Sequence, residues 1–422
     1  MQKSQMTKFP DLQTIVSNGL CTGCGLCESI AGHEQVKMAL TSASRMRPQE
    51  KRPIDDSCME KIRAICPGIG LTGPDDNQVE DCGVLHDLWG PIRTMHRGWS
   101  TDEEIRFRSA AGGAMTALAC YLLETARVDA IVHVRASRER PMETDAIVST
   151  TPEEVRSGSQ SRYGPAAPLV NVMQLLDQGT RMAVLAKPCD VAAIRKLAKI
   201  DSRVESQIPY LITIFCGGVP TIETAKKIAG YQGISPEEIA VFRWRGNGWP
   251  GPTHIETHDG REYDLTYRKV WFSNDVPWKY DIQFRCKICP DAIGELADVC
   301  CPDSWIMDDG KPVHDEAPGE NLFITRTKRG QELVAAAAAS GAIHLDPFGM
   351  DELNAQHADH ITRKIETPAR VQALALEGEL QPEFEQFRSD RMIAIAGNVR
   401  YQAAIKETRD RIQKLDNREP PD

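Results

Sequence analysis

The chain has 422 residues, of which 41% are hydrophobic, and a formal net charge of -10. This length allows two or three domains around a large core, and the negative charge argues against a general nucleic-acid-binding protein, because phosphate contacts need clustered Lys and Arg. The sequence shows no signal peptide and no run of about 18 apolar residues, which predicts a cytoplasmic protein without a transmembrane segment. In that compartment its thirteen cysteines favour metal binding over disulfides.

The first predicted element in chain order is an iron–sulfur site. Cys21, Cys24 and Cys27 have the C-x2-C-x2-C spacing of bacterial ferredoxins, which lets three thiolates converge on one 4Fe-4S cluster. A fourth ligand must come from elsewhere. Cys66 is favoured because it stands in a Cys-Pro pair, as ferredoxin-type runs do, and Cys58 is its competitor. A zinc knuckle is the alternative use of these thiols.

A cofactor-binding segment is predicted from about residue 100 onward. Thr101 and Glu104 have the spacing of a helix capping box, and the sequence SAAGG at residues 109–113 precedes a helical run. Two glycines that open a helix give a ligand close access to the backbone, and the first-turn N–H groups favour a phosphate. The polar loop at residues 157–165 is a second candidate ligand contact. An ordinary turn and a surface loop are the alternatives for these two segments.

The region from residue 181 to residue 216 predicts a β-α-β unit with parallel strands. Cys189 follows the first strand and Cys216 follows the second, so both thiols are expected at the carboxyl edge of one sheet, where open α/β sheets bind ligands. Cys286 and Cys289 add a C-x2-C pair, which completes a second set of four thiols for a 4Fe-4S cluster. Buried structural cysteines are the alternative. Other cysteines are expected to be core residues: Cys82, Cys120, Cys300 and Cys301.

Five segments in succession carry a family resemblance: GWSTDEEIR…GGAMTAL, GSQSRYG, AKPCDVAAIRKL, FCGGVP and RCKICPD…ADVCCPDSW. Over roughly residues 20–347 their order resembles the coenzyme F420 hydrogenase/dehydrogenase beta-subunit family, a group that includes ferredoxin-dependent reductases of chlorophyll-type tetrapyrroles. The resemblance implies FAD and two 4Fe-4S clusters as cofactors. It implies FAD contacts from Ser109, Gly112, Gly113, Thr116, Ser159 and Tyr163. It implies cluster ligation by Cys21, Cys24, Cys27 and Cys66 and by Cys189, Cys216, Cys286 and Cys289.

The predicted fold class is α/β. A flavin-binding α/β domain with the parallel β-α-β unit and the second cluster is expected at residues 96–330. A small N-terminal ferredoxin-like iron–sulfur domain is expected at residues 1–95, and a helical C-terminal region at residues 331–422.

The favoured function is an iron–sulfur flavoprotein oxidoreductase. Ferredoxin or a similar one-electron donor would deliver electrons through two 4Fe-4S clusters to FAD, which would reduce a small organic substrate such as a chlorophyll-type tetrapyrrole. Asp303, Tyr163 and His133 are candidates for proton transfer or substrate orientation. Lys187, which precedes Cys189 in a Lys-Pro-Cys arrangement that the family also uses, is a candidate for stabilising reduced centres.

Residues 243–251, RWRGNGWPG, would suit an acidic conjugated substrate through stacking and carboxylate pairing, with a twisted hairpin as the alternative. Two other functions remain open. The chain could be an electron-relay beta subunit of a hydrogenase/dehydrogenase complex, which exchanges hydride with a deazaflavin or nicotinamide coenzyme. It could also be a zinc-stabilised interaction protein. The sequence leaves the oligomeric state open.

Overall fold

The structure, a computed structural model, describes residues 8–74, 83–273 and 281–420. Within these ranges the helices are α1 (Leu12–Ser17), α2 (Leu26–Ala31), α3 (Asp56–Ile65), α4 (Glu103–Arg108), α5 (Ala114–Glu124), α6 (Pro152–Arg156), α7 (Val172–Asp177), α8 (Pro188–Ala198), α9 (Arg203–Gln207), α10 (Ile222–Tyr231), α11 (Tyr267–Phe272), α12 (Phe284–Lys287), α13 (Lys328–Ala339), α14 (Met350–Gln356), α15 (Ala358–Leu376) and α16 (Ser389–Gln413). None of these helices is long and apolar enough to cross a membrane.

The strands in the same ranges are β1 (Val36–Leu40), β2 (Met46–Glu50), β3 (Gly70–Thr72), β4 (Val84–His86), β5 (Gly90–Ile92), β6 (Thr94–Ser100), β7 (Ala130–Ala136), β8 (Thr144–Ser149), β9 (Met182–Leu185), β10 (Tyr210–Thr213), β11 (Ile239–Arg243), β12 (Thr253–Thr257), β13 (Glu262–Leu265), β14 (Val299–Cys300), β15 (Met307–Asp308), β16 (Lys311–Pro312), β17 (Asn321–Thr325), β18 (Ile343–Pro347) and β19 (Glu383–Glu385).

A mixed sheet of eight strands organises the molecule, in the order β18-β6-β17-β14-β10-β9-β7-β8. Its centre is parallel, since β9 pairs in parallel with β7 and β10, and β10 with β14. Every residue of β9 and β10 is buried, as expected for strands covered on both faces. Helices α5 and α13 contribute to one apolar cluster, and α7 and α8 contribute to another. The predicted α/β class and parallel β-α-β unit are confirmed.

The start of α4 differs from the predicted capping box. Asp102, and not Thr101, caps the helix, because its carboxylate accepts hydrogen bonds from the backbone N–H groups of Glu104 (2.9 Å) and Ile105 (3.1 Å). The Thr101 hydroxyl donates instead to the carbonyl of Gly341, just before β18. The Thr101 hydroxyl, which the local sequence pattern assigned to the N-cap of α4, is therefore used in a contact with a distant segment.

The C-terminal region consists mostly of helices α13 to α16 and also contains two short strands that the sequence does not predict. Strand β18 pairs with β6 at the edge of the main sheet, and β19 pairs in parallel with β3 near the N-terminus. Leu374 of α15 and Ile412 of α16 complete the apolar cluster around Phe9, Leu20 and Ile62. Short strands whose partners lie hundreds of residues away carry little local signal, which is why the sequence does not reveal them.

Three cysteines outside the two candidate ligand sets are core residues, as predicted. Cys120 lies in the cluster under α5, and Cys301 belongs to the same cluster. Cys300 is fully buried beside Trp89 and Phe215. Cys82 lies outside the described residues.

Candidate functional site

A first set of four cysteines lines one apolar cavity near the N-terminus: Cys21, Cys24, Cys27 and Cys66. Three of them lie on the turn that leads into α2 and includes the start of that helix, where Cys27 is the second helical residue. Gly23 and Gly25 have φ values of +77° and +86° within that turn, a conformation that residues with a Cβ rarely adopt. The turn brings its three thiols to the same cavity, as the C-x2-C-x2-C spacing predicts.

Cys66, and not Cys58, lies with the three cysteines of the turn. It is the C-cap residue of α3. Burial raises the pKa of each thiol in the turn, and the Cys66 thiol raises each of them further. Cys58 is near the start of α3, where its backbone N–H donates to the Asp55 carboxylate (2.7 Å), and it does not line the cavity. Ligation by Cys66 remains a prediction that this placement favours.

A second set of four cysteines, which consists of Cys189, Cys216, Cys286 and Cys289, lies at the carboxyl edge of β9 and β10. Cys189 is in the first turn of α8, after β9, and Cys216 follows β10. Cys286 belongs to α12, and Cys289 follows that short helix. The backbone N–H of Cys216 donates to the carbonyl of Ala292 (2.8 Å), which fastens the sheet edge to the segment after Cys289.

The thiols of the second set are costly to ionise in the bare protein. Burial raises the pKa of Cys189, Cys216 and Cys289, in Cys216 to about 12, and neighbouring thiols of the set raise each further. A bound cluster would coordinate the thiolates and supply positive charge, so this donor set fits an iron–sulfur cluster. In the described ranges, no three His, Cys, Asp or Glu side chains have the geometry of a site for a metal ion.

Buried polar side chains connect the surroundings of the two sets. The Gln283 amide donates to the carbonyl of Thr22, between two cysteines of the first set, and also lies 3.4 Å from the sulfur of Cys286. Arg285 donates to both carbonyls of the Pro67-Gly68 pair, at 2.8 and 3.0 Å, directly after the fourth thiol of the first set. Both side chains are about 2% exposed. The two sets are therefore neighbours in one interior.

A buried ion pair lies between the two sets. Lys187 Nζ donates to the Asp190 carboxylate at 2.6 Å, and Asp190 is fully buried. Burial alone would lower the pKa of Lys187, but Asp190 and the Cys189 thiolate outweigh it and raise that pKa. Asp190 also adds to the effect of burial in raising the pKa of Cys24, in the first set. The side chain of Lys187 is 19% exposed, and its buried partner Asp190 holds the ammonium against the interior.

The glycine pair that precedes α5 is required by packing. Gly113 has a φ of +77°, and a Cβ there would lie 2.9 Å from Ile105 Cγ2. At Gly112 a Cβ would lie 2.8 Å from the backbone nitrogen of Asn321. The Asn321 side chain accepts a hydrogen bond from the Ala114 N–H (3.1 Å), which is one of the first-turn donors that the sequence had assigned to a phosphate. Sequence reasoning missed Asn321 because it is 207 residues away along the chain.

The two loops predicted to bind FAD meet at the first turn of α5. The hydroxyl of Ser159 donates to the hydroxyl of Thr116 at 3.2 Å. Ser109 is buried, and among the described residues its hydroxyl has no hydrogen-bond partner. An unsatisfied buried hydroxyl costs about 1–3 kcal/mol. A polar atom of a bound cofactor would satisfy it, so the residues present fit a flavin at this position.

Arg245 holds the surroundings of these loops together. Its guanidinium donates to the carbonyl of Ala110 (2.7 Å), the hydroxyl of Tyr163 (3.1 Å) and the carboxylate of Asp303 (2.8 Å), and its Nε donates to the carbonyl of Pro250 (3.0 Å). Tyr163 and Asp303, two candidates from the sequence, are thus brought together. Arg245 is only 2% exposed, so it organises this region and does not present a free cation to a substrate, in contrast to the expectation for residues 243–251.

His133 stands apart from this network. Its Nε2 lies 2.8 Å from the Ser149 hydroxyl on the neighbouring strand β8. Burial, with a smaller effect from Arg135, lowers the pKa of His133 to about 4. The imidazole is therefore neutral at pH 7. It packs beneath the loop at Gly158, where an added Cβ would come within 2.9 Å of its ring.

Similarity to known proteins covers most of this sheet and both loops. The family that matches is described as "Coenzyme F420 hydrogenase/dehydrogenase, beta subunit", with residues 95–174 matching its N-terminal part and residues 179–350 its C-terminal part. The chain is 27% identical over 275 residues to the coenzyme F420 hydrogenase subunit beta of Methanococcus voltae, which covers 60% of this chain and 84% of that protein.

Two further similarities extend the comparison. The coenzyme F420-dependent sulfite reductase of Methanocaldococcus jannaschii is 22% identical over 357 residues, which covers 79% of this chain but 48% of that protein. The chain thus spans about half the length of that relative. A chain of the F420-reducing [NiFe] hydrogenase complex from Methanosarcina barkeri has a similar fold, with a TM-score of 0.55, 20% identity, and coverage of 71% of this chain and 99% of that chain.

The relatives named here are a hydrogenase subunit and a sulfite reductase, and both are therefore oxidoreductases. The chain belongs to the coenzyme F420 hydrogenase/dehydrogenase beta-subunit family, as the motif succession predicts.

Replacement of Cys66 by serine should remove about half of the iron from the protein, because a cubane needs four ligands and the second set stays intact. The matched variant Cys58→Ser should keep its iron. Iron per chain, measured side by side in anaerobically purified protein, checks this. Equal loss in both variants, or greater loss from Cys58→Ser, would show that Cys58 is the ligand.

Ser109→Ala should release flavin and also stabilise the flavin-free protein by about 1 kcal/mol, because it removes an unpaired buried hydroxyl. Thr408→Val, which removes a buried hydroxyl from α16, should leave flavin content unchanged. Flavin absorbance after gel filtration and urea unfolding of the flavin-free protein give the two readouts. If Ser109→Ala keeps all its flavin, the hydroxyl does not contact the cofactor.

Lys187→Met should lower the reduction potential of a cluster on the second set by tens of millivolts, where ~59 mV is a tenfold change for one electron. It should also cost about 3–5 kcal/mol of stability, since it leaves Asp190 buried and unpaired. The double variant Lys187→Met/Asp190→Asn removes both charges and should recover most of each loss. Spectroelectrochemical titration and urea unfolding measure the two effects. An unchanged potential in the single variant would remove Lys187 from any electronic role.

Proposed function

We propose that the chain is the F420-linked electron-relay subunit of an oxidoreductase complex. In this role it exchanges hydride with the deazaflavin coenzyme F420 and exchanges single electrons with a partner subunit or domain. The two named relatives differ in their reactions, since one is a hydrogenase subunit and the other a sulfite reductase. Both names contain coenzyme F420, which supports F420 as the coenzyme and leaves the second substrate open.

The adjacency of the two four-cysteine sets carries the proposal. A protein that moves single electrons needs centres that are close to each other and shielded from water, and Gln283, Arg285 and Asp190 connect the two sets through its interior. In the proposed holoprotein each set holds one 4Fe-4S cluster, and Ser109, Thr116, Ser159 and Tyr163 border FAD. When bound, the clusters supply one-electron transfer and the flavin converts between single electrons and hydride.

The residues of the chain position these groups. Arg245 fixes the Tyr163 hydroxyl and the Asp303 carboxylate relative to the loop at Ala110, so one side chain connects the elements that border the proposed flavin position. Asp303 follows closely after Cys300 and Cys301, at the end of β14. Strand β14 pairs in parallel with β10, whose carboxyl edge bears the second set. The proposed flavin position and the second set are therefore built on the same sheet.

A reductase of chlorophyll-type tetrapyrroles, which the sequence alone favoured, gains no support from the named relatives. The motifs that carry the family resemblance are cysteines, glycines and hydroxyl-bearing loops. Such residues recognise clusters and flavin, which different members can share, and they carry no information about the final substrate. Ferredoxin as the electron donor likewise remains a prediction.

The anaerobically purified protein should contain about eight iron and eight acid-labile sulfide per chain together with FAD, and it should oxidise reduced F420 with benzyl viologen as the one-electron acceptor. Reduced nicotinamide should react at least about tenfold more slowly, which corresponds to about 1.4 kcal/mol in the barrier. The recovery of oxidised F420 absorbance measures the reaction. Stoichiometric zinc without iron, or equal rates with nicotinamide, would contradict the proposal.

Two cysteine variants separate the relay from the hydride step. Cys189→Ser should slow viologen reduction and leave the reduction of bound flavin by reduced F420 intact, because only the second set is damaged. Cys120→Ala removes a buried thiol outside both sets and should leave both steps unchanged. Stopped-flow absorbance resolves the two steps. Loss of flavin reduction in Cys189→Ser would place the second set on the hydride step instead.

A further inference from the structure

Helix α15 lies outside the residues that match the family, which end at 350, yet it contacts the backbone of the second cysteine set. Arg363 donates to the carbonyl of Cys216 (2.9 Å) and to the carbonyl of Cys286 (3.2 Å). The hydroxyl of Thr367, one turn later, shares its proton between the carbonyl of Cys289 (3.1 Å) and that of Arg363 (2.9 Å). Three of the four cysteines of this set are thus held by two side chains of one helix.

These contacts follow from helix periodicity. Residues 363, 367 and 370 are four and three positions apart and share one face of α15. Arg370 extends the same face and donates to the carbonyl of Lys287 (2.8 Å). The carbonyls of Cys216 and Cys289 lie outside regular structure, and those of Cys286 and Lys287 belong to the last turn of α12, where a helix provides no donor of its own. A buried carbonyl without a donor is unfavourable. The face of α15 therefore completes the hydrogen bonding of the ligand segments.

Arg363 differs from Arg370 in two respects. Its guanidinium joins two segments that are separated by about 70 residues, the end of β10 and helix α12, whereas Arg370 contacts only one. Arg370 is also paired with the Glu366 carboxylate at 2.6 Å. In the part of the chain that the structure describes, Arg363 makes its hydrogen bonds to carbonyls and has no carboxylate partner.

The positive charge of Arg363 acts on the thiols of this set. Its guanidinium is hydrogen-bonded to the backbone carbonyls of Cys216 (2.9 Å) and Cys286 (3.2 Å), so its positive charge lies close to the thiols of these two residues. An arginine keeps its charge at every accessible pH. Its planar fork can hold two carbonyl oxygens at a fixed separation, which a single ammonium group does less well.

We propose that Arg363 is a positioning residue of the second cysteine set, which fixes the spacing of Cys216 and Cys286 and supplies an uncancelled positive charge that makes reduction of a bound cluster easier. This inference rests on the proposed function, because it requires that the set holds a cluster. It adds a determinant of the cluster's potential that lies outside the matched family residues.

Three variants test the charge and the span separately. Arg363→Met removes the positive charge and the two carbonyl contacts. Arg363→Lys keeps the charge but cannot hold two carbonyls with a planar guanidinium. Arg370→Met is the matched control on the same helix face. The readouts are the midpoint potential of each cluster by redox titration with electron paramagnetic resonance, and the half-life of iron against a chelator. The potential that belongs to the second set is the one that Cys216→Ser abolishes.

Arg363→Met should shift the oxidised-to-reduced ratio of that cluster about tenfold toward oxidised, or about 59 mV for one electron, and should shorten the chelation half-life at least threefold. In Arg363→Lys the midpoint potential should differ from the wild-type value by no more than about a third of that shift. This variant should still lose iron to the chelator faster than the wild type. Arg370→Met should match the wild-type potential. The unfolding midpoint of each variant shows whether it folds. If Arg363→Met does not fold, Arg363→Lys alone tests whether the two carbonyl contacts fix the spacing of Cys216 and Cys286.

Unchanged potential and chelation in Arg363→Met would overturn the inference and leave the proposed function standing. An Arg363→Lys variant that retains iron as well as the wild type would overturn the positioning role. An equal potential shift in Arg370→Met would overturn the role of an uncancelled charge. A wild-type protein without iron would overturn the proposed function, and this inference with it.

Discussion

Two parallel strands that end at one sheet edge determine where the second cysteine set forms. Tyr210 of β10 pairs with Ala183 of β9, so the chain leaves both strands at the same level. A parallel pair needs a crossover connection, and here it is α8, whose first turn carries Cys189. The hydrogen bond from Cys216 to Ala292 then fixes the C-x2-C turn against this edge. Four thiols that are up to a hundred residues apart thereby become neighbours.

The electrostatics of the interior follow from that placement. Buried thiols that lie close together resist ionisation, and cationic side chains from separate elements offset this effect. Lys187 comes from the segment after β9, Arg285 from the C-x2-C segment and Arg363 from α15. The chain is acidic overall, so these cations are a local arrangement and not a consequence of composition. A buried charge is tolerated when a partner lies close to it, and Asp190 has one in Lys187.

The region around the two candidate flavin loops depends on a different cation. Arg245 is buried and makes four hydrogen bonds to four separate positions in the chain. Trp249 and Tyr267 pack against its guanidinium, with ring centres 5.1 and 5.3 Å away. In the sequence, an arginine between aromatic residues suggested a substrate site. Stacking on rings and multiple hydrogen bonds also suit an arginine that stabilises the protein interior, which is the role that the structure shows for Arg245. The chain belongs to the beta-subunit family, and Arg245 holds the loops of this region together by hydrogen bonds to Ala110, Tyr163 and Asp303.

Local patterns in the sequence determined much of this protein. The spacing of Cys21, Cys24 and Cys27, the buried runs of β9 and β10, and the order of motifs were enough to predict the turn, the parallel unit and the family. Only the tertiary structure decided which residues complete these elements. Asn321 caps α5, Asp102 replaces Thr101 as a helix cap, and α15 contacts the second set. Each of these depends on partners that are distant along the chain, whereas periodicity and spacing report only on residues that are close together. Hydrogen bonds between distant segments depend on how the strands and helices pack against one another, so no local pattern can encode them.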